Sequence, residues 1–94
     1  MITVNLTVVG NPATGPWGVS ATTTSTQAVF ANVFLDGLMH HVENLFPWSF
    51  PGDNGTSVTP SLFGNGTHTV QFVFYLKGTT TEIGRASITV QEGS

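Results

Sequence analysis

The sequence predicts an all-β sandwich of two antiparallel sheets with about seven strands. Three observations carry this. Residues 65–76, NGTHTVQFVFYL, open with an Asn-Gly dipeptide and then alternate with period two. Asn-Gly tolerates the positive φ of a tight turn, and the alternation is that of a central strand with one face on a core. Further short apolar runs recur at roughly the 8–12-residue spacing of sandwich strands, with Gly, Pro and Asn between them. No stretch has helical periodicity.

The elements follow in order. Ile2, Val4, Leu6 and Val8 alternate with Thr3, Asn5 and Thr7 as a half-buried first strand, broken by Gly10-Asn11-Pro12 and Gly15-Pro16. Residues 17–24 form a second, with Trp17, Val19 and Ala21 on one face, and Ser25-Thr26-Gln27 is a turn. In the third, residues 28–35, the row Val29, Ala31, Val33, Leu35 is the core face, because the opposite row carries Asn32 and runs on to Asp36. Asp36-Gly37 signals a hairpin into a short strand over 38–43. Residues 46–50 contain Pro47 and run into Pro51, which suits an edge strand, since proline cannot donate to a ladder. Residues 51–60 are a loop, and Leu62 or Phe63 drops into the core. In the central strand His68, Val70, Phe72, Phe74 and Leu76 point one way; Thr69, Gln71, Val73, Tyr75 and Lys77 point the other. After Gly78-Thr79-Thr80, the last strand turns Ala86, Ile88 and Val90 inward.

Composition bounds the function. The 94 residues make one domain, 1–94, and read as a module excised from a larger secreted protein. Apolar residues are 39% and charged residues only 7%, against about 25% charged in an average soluble chain. Fifteen threonines supply much of the polar surface; they are β-branched and suit strands. With two basic residues and a net charge of −3, the chain has almost nothing to neutralise a phosphate backbone, so no nucleic-acid partner is expected. Without cysteine there is neither a disulfide framework nor a thiolate metal site. No apolar run approaches the roughly 20 residues that span a bilayer, so no membrane insertion is expected.

The series Val33-Phe34-Leu35-Asp36-Gly37, then Pro47-Trp48-Ser49-Phe50, then Leu62 through Gly66-Thr67-His68-Thr69-Val70, closing on Ala86-Ser87-Ile88-Thr89-Val90, resembles bacterial Ig-like domains over about residues 28–91. The resemblance implies an Ig-like β-sandwich and an extracellular or cell-surface setting. It also implies a non-catalytic accessory role, as spacer or companion module in secreted carbohydrate-active enzymes or adhesins, with neighbouring domains of the parent chain as partners. It further implies that His68 sits at a strand entry, hydrogen-bonded to backbone of a neighbouring loop. Leu76-Lys77-Gly78-Thr79 replaces an acidic Asp-x-x-Gly-Asn turn common in the family, so no calcium role is carried over.

Candidate sites are few. His40 and His41 are adjacent, which in a regular strand sends them to opposite faces and prevents joint chelation. His41 and Glu43 share a face, but zinc would need a further ligand from His68, Asp36 or Asp53. No metal or cofactor is expected. The carboxylates Asp36, Glu43, Asp53, Glu82 and Glu92 form no evident pair for glycoside hydrolysis, and no Gly-x-Ser-x-Gly elbow is present, so no enzymatic activity is expected. Asn5, Asn54 and Asn65 head Asn-x-Thr sequons, which a Thr-rich chain with Asn-Gly turns produces by chance. The aromatics are the most informative group. Trp17, Trp48 and Tyr75, with Gln71 and Asn32 as polar partners, could form a platform for stacking on polysaccharide. The opposing and favoured reading makes both tryptophans plugs of the core ends, because large aromatics are mostly buried. A third reading is strand addition at an exposed sheet edge.

Overall fold

The computed structural model describes residues 2–14, 16–44, 46–51 and 66–93. These contain seven strands and no helix: β1 (Val4–Gly10), β2 (Trp17–Thr23), β3 (Val29–Leu35), β4 (Leu38–Glu43), β5 (Trp48–Phe50), β6 (Gly66–Leu76) and β7 (Glu82–Glu92). They form a β-sandwich. One sheet has the order β1-β2-β5 and the other β4-β3-β6-β7, with every pairing antiparallel. The expected loop over 51–60 lies almost wholly outside the described residues, as do Asp53, Asn54, Leu62, Phe63 and Asn65.

The rows read from alternation are the rows that pack. Val29, Ala31 and Val33 of β3, and His68, Val70, Phe72 and Phe74 of β6, face Trp17, Val19 and Ala21 of β2 and Trp48 and Phe50 of β5. Each such apolar side chain contributes about 1.5–3 kcal/mol when removed from water. Trp17 packs on Phe50 within the three-stranded sheet (centroids 5.6 Å), and Trp48 meets Phe74 edge to face (5.2 Å), so the second contact bridges the layers. Val73, on the outer row of β6, is nonetheless buried: its register partners are Asn32 on one side and Arg85 on the other, and a central strand is flanked on both.

Asp36 and Gly37, with φ of 52° and 82°, link the paired residues Leu35 and Leu38. Two consecutive positive φ values define the hairpin turn whose twist matches that of its strands. The 25–27 segment is a crossover rather than a hairpin, carrying the chain from β2 in one sheet to β3 in the other.

β1 and β7 run side by side in the same direction. Ile2 N–H donates to the Ile83 carbonyl (2.9 Å) at one end, and Gly93 N–H to the Pro12 carbonyl (2.9 Å) at the other. The first and last described residues therefore sit at opposite ends of a body 40 × 22 × 19 Å. Close approach of the two strands needs Gly84, where a Cβ would lie 2.7 Å from Ile2 Cγ1, 3.2 Å from Ile2 O and 3.3 Å from Val4 Cγ2. Valine favours strands by at most about 1 kcal/mol, whereas overpacking costs about 1–3 kcal/mol. Gly84→Val is thus expected to lower the urea midpoint of unfolding; an unchanged or raised midpoint would show that the β1–β7 contact is looser than described.

Candidate functional site

The end of the sandwich where the chain leaves is closed by two polar locks. In the first, Trp17 and Glu92 are both fully buried, and the indole Nε1–H donates to Glu92 Oε1 at 2.7 Å. Glu92 Oε2 is buried without a hydrogen-bond partner. Stranding a buried donor costs about 1–3 kcal/mol, comparable to the burial of one core side chain, so this bond holds the edge strand β7 onto β2. Glu92 extends the inward row Gly84, Ala86, Ile88, Val90. Parity alone could have placed it there, but its charge argued for solvent.

In the second lock, His68 is buried and its Nδ1 meets Asp36 Oδ2 at 2.7 Å. Thr69 N–H donates to Asp36 Oδ1 (2.8 Å), and Asp36 N–H to the Thr69 carbonyl (2.8 Å). His68 stands at a strand entry, and its Nδ1 partner is the carboxylate of the Asp36 turn. That carboxylate is within reach because the turn residue pairs alongside β6.

The tryptophans lie in the core. Trp17 is 0% and Trp48 6% exposed, so neither presents a ring face on which a sugar could stack. Tyr75 is half-buried on the outer face of the four-stranded sheet, opposite Phe30 in register. Their centroids lie 5.2 Å apart with planes 14° from parallel, an offset stack. Each ring spends one face on the other, so the pair is not a coplanar platform. Asn32 and Gln71 share that outer face with Tyr75 and are half-buried.

A groove of about 600 Å³ opens at the opposite end, within the usual range of ligand pockets, about 300–1,000 Å³. Val29 and Trp48 line its apolar part, and Thr22, Ser25, Gln27 and Asn44 its polar part. Phe46, 73% exposed, and Lys77 complete the wall. Lys77 Nζ donates to the Asn44 carbonyl (2.8 Å) and Ser25 Oγ to the Gln27 carbonyl (3.0 Å), which fixes the rim. Phe46 is the aromatic that sequence reasoning passed over; its position before Pro47 gave no signal of exposure.

The histidine expectation is corrected. Val33 pairs with His41 and Phe34 with Met39, so His40 is an extra residue in β4. This bulge brings the two rings together, with Nδ1 atoms 2.6 Å apart, one donating to the other. His40 also packs edge-on against Phe50 (4.8 Å). Partial desolvation, and then the nearby His41, hold its pKa below the ordinary histidine value. His41 Nε2 faces Glu43 Oε1 at 3.5 Å. Glu82 is paired with Arg85 (Oε2–Nε 2.7 Å). Among the described residues the four carboxylates thus have four separate settings, and no group of three metal-ligating side chains converges.

No known protein family, curated protein or solved structure matches the chain.

The Asp36 lock predicts a pH dependence. Hydrogen bonding from His68, and next from the Thr69 N–H, holds the Asp36 carboxyl below the usual carboxylate range. A depressed native pKa gives stability that is present above the unfolded pKa of about 3.9 and lost as pH falls through the native value. Asp36→Asn tolerates the same positive φ but cannot titrate. Denaturation midpoints measured from neutral to strongly acidic pH should converge for wild type and variant only below about pH 4; parallel curves would remove Asp36 from the acid response.

Proposed function

We propose that the chain is a non-catalytic Ig-like accessory module of an extracellular bacterial multidomain protein, holding neighbouring domains apart in a fixed orientation. The observation that carries this reading is the course of β1 and β7. They run together in one direction, so a chain entering at Ile2 leaves past Gly93 at the far end of a 40 Å body. Such a unit spaces its neighbours by its own length. The resemblance of residues 28–91 to bacterial Ig-like domains supplies the class, and the Asp36-Gly37 hairpin and the Pro-flanked edge strand lie at the positions that carry it. One difference is topological: β4 pairs with β3, whereas the fourth strand of a constant-type Ig domain joins the sheet of the first two. The locks at Glu92 and Asp36 stiffen the exit end, which suits a spacer.

A second reading, carbohydrate binding, is favoured by the groove beside Phe46 and Trp48, where an exposed ring and amide and hydroxyl side chains meet. It does not use Trp17, which has no exposed surface. Strand addition draws less support. β5 is three residues long between two prolines, and β4 is bulged with inward-facing His41 and Glu43; both are devices that discourage edge pairing.

Because the chain has no cysteine, cysteines placed at the exposed positions Thr3 and Gln91 can carry one spin label each. The spacer reading predicts a narrow distance distribution at roughly 20–25 Å, the span of seven extended residues of β7 from Gly84, beside Thr3, to Gln91, unchanged by a panel of soluble polysaccharides. A broad distribution would contradict it. A polysaccharide that binds and is displaced by Phe46→Ala would replace it with the second reading.

A further inference from the structure

The bulge in β4 brings two imidazole rings together at the sheet surface. In a regular strand His40 and His41 would face opposite ways; here their Nδ1 atoms converge to 2.6 Å. Behind His41, its other nitrogen faces Glu43 Oε1 at 3.5 Å, and both of these atoms are buried with no hydrogen-bond partner. A carboxylate that accepts from an imidazole N–H orients metal-ligating histidines, and a small rotation of the His41 ring would bring this unbonded pair into that contact. The His41 side chain is 22% exposed and His40 is exposed, so an ion can enter from solvent.

We propose that His40 and His41 chelate one Cu(II) ion through their Nδ1 atoms, with Glu43 as a positioning residue behind His41. The number and kind of donors favour copper. With metal–nitrogen bonds of about 2.0 Å, nitrogens 2.6 Å apart subtend about 80° at the ion. That is near the about 90° of tetragonal copper and far from the about 109° of tetrahedral zinc. No third His, Cys, Asp or Glu joins the pair among the described residues, and zinc sites take three or four protein ligands. Copper tops the divalent affinity order for nitrogen donors and can complete its square with solvent. The competing account is that the two rings hydrogen-bond to each other and only protect a sheet edge, in which case added copper leaves the pair untouched.

The intact chain titrated with a copper(II) salt alone, near neutral pH, separates these accounts. The site predicts paramagnetic broadening of backbone amide resonances centred on residues 38–43 and on Phe50, and an electron paramagnetic resonance spectrum with two nitrogen ligands. Glu43→Gln should keep both nitrogens while weakening binding about tenfold. His40→Gln and His41→Gln should each weaken it further, and His68→Gln should leave it unchanged. Circular dichroism on each variant checks that the sandwich is intact, and the wild-type broadening map needs no variant at all. Broadening centred elsewhere, histidine variants that bind like wild type, or zinc bound as tightly as copper would each overturn the proposal.

Discussion

The contact on which the rest of this sandwich depends is the packing of the inward row of β6 against the facing sheet. His68, Val70, Phe72 and Phe74 are buried, and they meet a layer built from Trp17, Val19, Trp48 and Phe50. A slip of one residue would send that row to solvent and bring Thr69, Gln71 and Tyr75 inward. Register is therefore set by burial, and β3 and β7, paired to β6 along most of their length, inherit it. The aromatic contact across the layers then takes the place of disulfides in a chain that has none.

Polar groups near the core are used in pairs. Glu92 accepts from Trp17, and Asp36 holds both His68 and the Thr69 backbone. Both locks sit at the end where the chain leaves, and each ties a strand to a segment distant in sequence. At the other end a cross-sheet connection, the segment before β5 and the end of β6 leave an open cleft, whose rim the Lys77–Asn44 hydrogen bond fixes. The molecule is thus closed at one end and receptive at the other. This polarity is compatible with a spacer.

How far the sequence reveals this follows from the range of each interaction. Alternation in β1, β2, β3, β6 and β7 is a local property, so their inward rows were legible, as was the Asp36-Gly37 turn. The burial of both tryptophans agreed with the favoured reading of large aromatics. The bulge at His40 was not legible: it is defined by pairing with β3, and a single strand carries no mark of one extra residue. Glu92 had the right parity, yet only the indole of Trp17, 75 positions away, makes its burial intelligible. The groove was invisible for the same reason, since its walls run from Thr22 to Lys77 and meet only in the folded chain.

Two indoles at the core, one of them bonded to a buried carboxyl, make the account testable by a single optical measurement. Intrinsic tryptophan emission of the intact chain, recorded with increasing acrylamide, reports the setting of Trp17 and Trp48 together. Buried indoles predict blue-shifted emission that acrylamide barely quenches until the protein is unfolded. Red-shifted emission quenched readily in the native state would contradict it, by placing at least one indole in solvent and removing the aromatic bridge between the sheets.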